Sequence, residues 1–384
     1  MLELKIKNKV IYADDESTKS LLKNGYYGEE ERGILKLSKI EGLYLIDSRN
    51  ATCSSSKGPV SFFDIAKDAW KSKKFIARYF AYKDWRDRGL VAMEPERQYE
   101  QPQENPIKKY PAIELKLPSY QLHGVFFKSD MVSIVEEDNK GKEIYEKYWF
   151  GQYGSYKAPD RGKLNKLDVY ETLFLIDQGI LTLYNATKEE VLNLASKRHP
   201  NFQSLYDVYF DWRSKGYVVK TGFKFGTNFR IYFPGAKPGS GPDKKWMHSK
   251  HVLHVFPKNT KLLISEWARA IRVAHSVKKT FLLALPGTSN RTGANIDFVL
   301  YHRHGGEADN PATTPPKFAM LTLGEEEYLG GDVLARTIEE ATRRKLELLL
   351  AIVDRETAVT YYMVKRILLP KSKNEYYEID WLQP

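Results

Sequence analysis

The sequence predicts a mixed α/β fold in which one plan is used more than once. Strand and helix signals alternate along the chain, two proline-rich runs divide it, and segments on either side of those runs repeat one another. At 384 residues there is room for two or three domains of about 150 residues each.

The dividing runs are Glu94–Pro118, with five prolines, and His304–Lys317, with three. Such stretches build no core of their own and read as linkers. The expected division is a front unit at 1–95, a linker at 96–118, a central unit with subdomains at 119–195 and 196–303, a linker at 304–317, and a back unit at 318–384. YFAYKDWRDRGLV (Tyr79–Val91) matches YDVYFDWRSKGYV (Tyr206–Val218), and LSKIEGLYLID (Leu37–Asp47) matches LDVYETLFLID (Leu167–Asp177). The front unit therefore reads as a copy of the front of the central unit. ARTIEEATRRKLELLLAI (Ala335–Ile352) aligns without a gap on ARAIRVAHSVKKTFLLAL (Ala268–Leu285), so the back unit copies the rear of the central one. In that register Leu346 stands opposite Lys279 and Glu339 opposite Arg272.

Thr187 and Glu190 form a capping box that opens a helix. Asn201–Lys215 reads as a helix stopped by Gly216. FRIYF (Phe229–Phe233) and HVLHVF (His251–Phe256) read as strands from alternation and β-branched content. Lys261–Val277 reads as a helix with Leu262, Leu263, Trp267, Ile271 and Ala274 on its apolar stripe. KTFLLAL is a short buried strand, and VTYYMV (Val359–Val364) is its expected hairpin partner.

Composition narrows the function classes. The charged share is 28%, the formal net charge +11 and the pI about 9.2, a balance that favours polyanionic partners. Twenty-five tyrosines add rings able to stack on splayed bases. The single cysteine, Cys53, rules out an internal disulfide and a cysteine-based zinc site, which fits a reducing cytoplasm. No apolar run reaches the ~18 residues of a membrane helix, and the start does not read as a signal peptide. Six of the eight histidines fall between His248 and His304. In a strand, however, His248 and His251 point to opposite faces, and no carboxylate stands at ligand spacing, so no metal is expected.

Three side chains from separate segments could carry chemistry. Tyr232 shares a strand face with Arg230, opposite Phe229 and Ile231, and from pattern alone reads as a surface tyrosine. His248 opens HSKHVLH. Lys279 stands where a helix gives way to an apolar strand, its stem packed and its head free to meet a phosphate.

Together these segments resemble the archaeal tRNA-splicing endonuclease family. GFKFGTNFRIY, HSKHVLHV and RVAHSVKKTFLLA match its tyrosine strand, its histidine strand and its lysine helix-to-strand junction. The resemblance implies small α/β N-terminal domains and a restriction-endonuclease-like catalytic domain, internally repeated, with catalysis in 196–303. It implies Tyr232 as general base, His248 as general acid and Lys279 as stabiliser of the phosphorane, with no metal or other cofactor. It further implies Arg272 and Arg303 as the pair that grips a bulged base, and an acidic loop, here Asp354 and Glu356, as a docking element between units. The substrate implied is precursor tRNA with a bulge-helix-bulge motif, cut by a three-unit chain that acts as a homodimer. Departures are the long insert between Tyr232 and His248 and the lack of the usual acidic run in PGTSNRTGANID. A non-catalytic RNA-binding protein would account for the charge and the aromatics. A metal-dependent nuclease would need a carboxylate cluster beside a lysine, which these motifs lack.

Overall fold

The structure is a computed structural model that describes residues 2–97, 99–136, 139–156, 158–239, 248–287 and 295–384. Most of PGTSNRTGANID, the second half of PGAKPGSGPDKK and Lys157 of the basic run Lys157–Lys166 lie outside the described residues.

Two small α/β domains repeat one design. In the first, strand Glu3–Lys7 runs parallel to Thr52–Ser55; in the second, Leu122–Phe127 runs parallel to Leu181–Leu183. Each sheet carries a helix opened by a capping box, Ser38 with Glu41 and Asp168 with Glu171. The Thr187–Glu190 box also forms.

A mixed sheet joins the rest. Its strands are β1 (Ala92–Met93), β2 (Val218–Thr221), β3 (Phe229–Tyr232), β4 (His251–Val255), β5 (Thr280–Ala284), β6 (Phe298–Leu300), β7 (Phe318–Gly324), β8 (Glu347–Val353), β9 (Val359–Leu368) and β10 (Tyr376–Leu382). The order across the sheet is β2-β3-β4-β5-β10-β9-β8-β7-β6-β1, and Lys108–Lys109 pairs with β9. Four helices pack on it: α1 (Phe75–Asp87), α2 (Phe202–Ser214), α3 (Ile264–Ser276) and α4 (Gly331–Arg343). β4 and β5 are parallel and joined through α3; β7 and β8 are parallel and joined through α4. These central strands are covered on both faces, which explains their unbroken apolar runs TFLLA and LLLAIV.

The sheet is two similar halves placed side by side. β2-β3-β4-β5-β10 with α2 and α3 form one; β1-β6-β7-β8-β9 with α1 and α4 form the other. The front and back stretches of the chain therefore share one core: Leu43, Tyr82 and Trp85 pack with Phe298, Phe318, Leu349 and Tyr361. Matching bonds lock both halves. The Tyr361 hydroxyl donates to Asp84 at 2.8 Å beside Trp85, and the Tyr376 hydroxyl donates to Asp211 at 2.7 Å beside Trp212.

Three expectations need correction. VTYYMV lies in β9 and pairs with β8 and β10, while β5 takes β10 as its antiparallel neighbour. Any apolar strand of suitable length satisfies the free edge of β5, so local sequence does not choose between them. The third helix begins at Ile264, because Lys261–Leu263 is pulled into a short antiparallel pair with Tyr328–Gly330. The 94–118 run is stitched to the sheet: the buried Tyr110 hydroxyl and Lys108 both donate to Glu378 of β10, the lysine at 2.7 Å. The 304–317 run carries part of a short hairpin, Arg303–His304 with Glu307–Ala308.

Candidate active site

Strand register positions the site. β3 and β4 are antiparallel with Ile231 opposite His251, and β4 and β5 are parallel with His251 opposite Thr280. Tyr232 ends β3, His248 stands three residues before the first residue of β4, and Lys279 directly precedes β5. All three therefore stand at the same end of three neighbouring strands, which are spaced ~4.8 Å apart.

The two lysines of the KK pair differ in backbone. Lys278 adopts the left-handed conformation, φ +54°, which turns the chain out of α3 and leaves its side chain exposed. Lys279 follows, and its ammonium donates to the Ser249 carbonyl and, at 2.9 Å, to the Ser249 hydroxyl. It thus sits against the residue that follows His248. The Phe225 ring lies 5.3 Å from the same ammonium. In the other half Lys345 makes the same left-handed turn, φ +58°, and the next residue is Leu346.

Tyr232 is buried, 4% exposed, which overturns the expectation of a surface tyrosine. The second α/β domain covers it: the Trp149 ring lies 4.8 Å away, and Tyr145, Val218 and Ala236 complete the cluster. Burial pushes the phenol above its ordinary pKa, and the Arg230 guanidinium, 5.8 Å from the ring, pulls it back. The cation beside the phenol is thus Arg230, two residues earlier on the same strand face. Lys279 is pulled below the ordinary lysine value, first by burial and then by repulsion from Arg230 and Lys250. None of Arg230, Lys250 and Lys279 has a carboxylate partner among the described residues, and the buried Arg230 Nε has no acceptor there. Clustered cations without counter-charge are costly unless an anion completes them. His248 is exposed beside this cluster, whereas His251 is buried and His254 half-buried, each pulled down to about 4 chiefly by burial.

The remaining expected residues are spread out. Arg272 is exposed on α3; the buried Tyr362 hydroxyl of β9 is pushed up by burial, and the Arg272 charge opposes that push. Arg303 lies next to β6, in the other half of the sheet, and donates to the Arg88 carbonyl at 2.6 Å. The structure does not bring it to the Tyr232 end. Asp354 and Glu356 occupy the turn from β8 to β9, separated from β5 by β10 and β9. Asp354 accepts the Glu356 and Ala358 amide protons, each at 2.9 Å, and Glu356 is exposed.

Register also explains Arg303. Phe298 faces Met320 as Phe229 faces Leu253, so FVLY (298–301) is the counterpart of FRIY (229–232). That echo was present in the sequence. The counterpart keeps a tyrosine, Tyr301, but has Val299 for Arg230, Pro315 for His248 and Leu346 for Lys279. Sequence reading missed Arg230 and Lys250 as members of the site, although both lie inside the quoted motifs. Trp149 carried no sequence signal, because its role depends on domain packing.

Residues 3–64 match the N-terminal domain of the tRNA intron endonuclease family, and residues 202–294 match its catalytic C-terminal domain. A tRNA-splicing endonuclease of Hyperthermus butylicus is 32% identical over 163 residues, 40% of this chain and 86% of that protein. The chain belongs to the tRNA-splicing endonuclease family. Within it, a tRNA-splicing endonuclease of Methanopyrus kandleri is 37% identical over 135 residues, 34% of this chain and 71% of its own length. One from Methanococcoides burtonii aligns over 365 residues at 26% identity, covering 77% of this chain and 97% of the relative. The catalytic match falls on the β2–β5 half. Among the described residues no helix is long and apolar enough to cross a membrane, and no three His, Cys, Asp or Glu side chains group as metal ligands.

Proposed function

We propose that this member of the tRNA-splicing endonuclease family is a tRNA-intron endonuclease that cuts precursor tRNA at exon–intron junctions by internal transesterification. One observation carries the reading: Tyr232, His248 and Lys279 share one end of three adjacent strands, beside cations with no carboxylate partner among the described residues. A phosphodiester supplies that missing charge.

The 2′-hydroxyl of the substrate attacks its own phosphate, leaving a 2′,3′-cyclic phosphate and a 5′-hydroxyl. The nucleophile is tethered, so orientation rather than a metal supplies much of the rate. Tyr232 takes the 2′ proton, with Arg230 offsetting the effect of burial on the phenol. His248, open to solvent, donates a proton to the departing 5′ oxygen. Lys279, held against Ser249, faces the charge that builds on the phosphorane. The catalytic-domain match makes a purely RNA-binding role the weaker reading.

One chain carries one complete set, since the second half has Val299, Pro315 and Leu346 at the matching places. A bulge-helix-bulge substrate presents two cuts related by a two-fold axis, so the active form is a homodimer. The acidic Asp354–Glu356 turn docks on the basic half of the second copy, and Arg272 grips the bulged base. Arg303 is retained only as a substrate contact reached from the other half.

The test is cleavage of a model exon–intron RNA in excess EDTA, with end-group analysis. Cyclic phosphate ends are expected, and Tyr232→Phe, His248→Ala and Lys279→Ala should each lose at least about a hundredfold in rate. Wild-type rates in any one remove that residue from the mechanism. Loss of all activity in EDTA, restored by a divalent ion, refutes the metal-free route.

A further inference from the structure

The most exposed large apolar side chain among the described residues lies next to this site. Phe223 is 86% exposed. It begins a single 3₁₀ turn, Phe223–Phe225, that follows β2 and ends at Gly226 in the left-handed conformation, φ +64°. The turn is tightly held. The Gly222 amide donates to the Asn228 carbonyl at 2.9 Å, and the Phe223 amide donates to the Thr221 hydroxyl at 3.3 Å. A Cβ on Gly222 would come within 2.5 Å of the Thr227 hydroxyl and 2.7 Å of its carbonyl, so the loop closes only on glycine.

The three residues of the turn face different ways. Phe225 turns in beneath the Lys279 ammonium at 5.3 Å, and Lys224 reaches over the Tyr156 ring at 5.3 Å. Phe223 is left standing in solvent, one residue from a cation and two from the ring under Lys279. Three further cations, Arg230, Lys250 and Lys279, cluster at the ring of Phe225 in the same turn. A rigidly mounted bare ring flanked by cations is how proteins hold unpaired nucleotides, because every base offers a π-face. The inert half supplies a contrast. The strand pairs Ile231–Val219 and Leu300–Ala92 are equivalent, so Phe223 corresponds to Glu96, and no aromatic residue stands at that place. The platform accompanies the half that carries the histidine and the lysine.

We propose that Phe223 is a base-stacking platform for an unpaired nucleotide of the substrate RNA adjacent to the scissile phosphate. The proposal rests on RNA being the substrate of this site, but not on which residues perform the chemistry.

Binding to the full-length protein of a bulge-containing RNA with a 2′-deoxy nucleotide at the cut, which cannot be cleaved, tests it. Phe223→Ala should weaken binding about 5- to 150-fold, the range expected for one lost base stack. Phe223→Trp should restore affinity and Phe223→Leu should not. Against a set of RNAs each made abasic at one nucleotide flanking the cut, the alanine penalty should vanish for one of them. An equal penalty on every abasic RNA, or no penalty at all, overturns the proposal. So does a change in sedimentation of Phe223→Ala without RNA that accounts for the binding loss, since the ring would then cover a second copy of the chain. Because the RNA is uncleavable, failure of the Tyr232–His248–Lys279 assignment would show only in the cleavage assay and would leave this readout intact.

Discussion

Removing the positive charge of Arg230 should damage catalysis through Tyr232. The guanidinium carbon lies 5.8 Å from the phenol ring. At an effective dielectric of about 20 a unit charge at that distance favours the phenolate by about 3 kcal/mol, equivalent to about 2 pKa units. Arg230→Met keeps the aliphatic stem and loses that attraction. Burial, which already pushes the phenol up, then acts unopposed. A general base works in its deprotonated form, so a higher pKa moves the rise of activity to higher pH. Single-turnover cleavage from pH 6 to 10 should show about a hundredfold loss at neutral pH and a rate that keeps climbing where the wild type has levelled. Lys279 adds a second signature. Its pKa is lowered partly by Arg230, so the variant should hold its charge to higher pH and delay the alkaline fall. Arg230→Lys should recover much of the loss. A profile of Arg230→Met that superimposes on the wild type would refute the electrostatic argument, and a uniform drop without displacement would reduce Arg230 to a packing role.

Other consequences concern stability. Lys220 and Glu171 form a buried ion pair in which the lysine also donates to the Gly151 carbonyl at 2.9 Å. Lys220→Met strands the carboxylate and should cost about 3–5 kcal/mol in urea unfolding, whereas an unchanged midpoint would mean the carboxylate finds water. His254 is half-buried, and desolvation of its ring pulls its pKa down to about 4. The unfolded chain therefore binds the extra proton between about pH 6.5 and 4, and stability should fall as pH drops through that window, by up to about 3 kcal/mol for this group. His254→Phe should flatten the decline, and a wild type equally stable at pH 4.5 and 7 would contradict the assignment. Tyr361→Phe removes the bond to Asp84 that ties β9 to α1. Asp84 still accepts from Arg88, so a loss of about 0.5–1.5 kcal/mol is expected from the one missing bond, and calorimetry showing none would mean the two chain ends dock through apolar contacts alone.

Much of this could be read in advance. Alternation marked β3 and β4, the unbroken run TFLLA marked β5, and the motif order brought Tyr232, His248 and Lys279 into view before any coordinates. Boundaries failed where a partner elsewhere in the chain decided them. Lys261–Leu263 carries a helical pattern but pairs with Tyr328–Gly330. Tyr232 looked exposed because strand alternation reports which face a residue occupies, not whether a domain far earlier in the chain covers that face with Trp149. The resemblance implied Arg303 as the partner of Arg272 on a bulged base, whereas β6 pairs with β7 in the other half of the sheet and carries Arg303 away from the Tyr232 end.

The sequence by itself determined the chemistry on offer, because side-chain type and strand or helix period are local properties. It also determined that the plan repeats. Only the tertiary structure decided that the chain's two ends form one body, that β10 rather than β9 closes the edge of β5, and that Arg230 and Lys250 stand with Lys279 in one cluster of cations. Those outcomes follow from competition among distant strands for the same hydrogen-bonding edges, and from charges summed across several strands. Neither quantity belongs to any one segment.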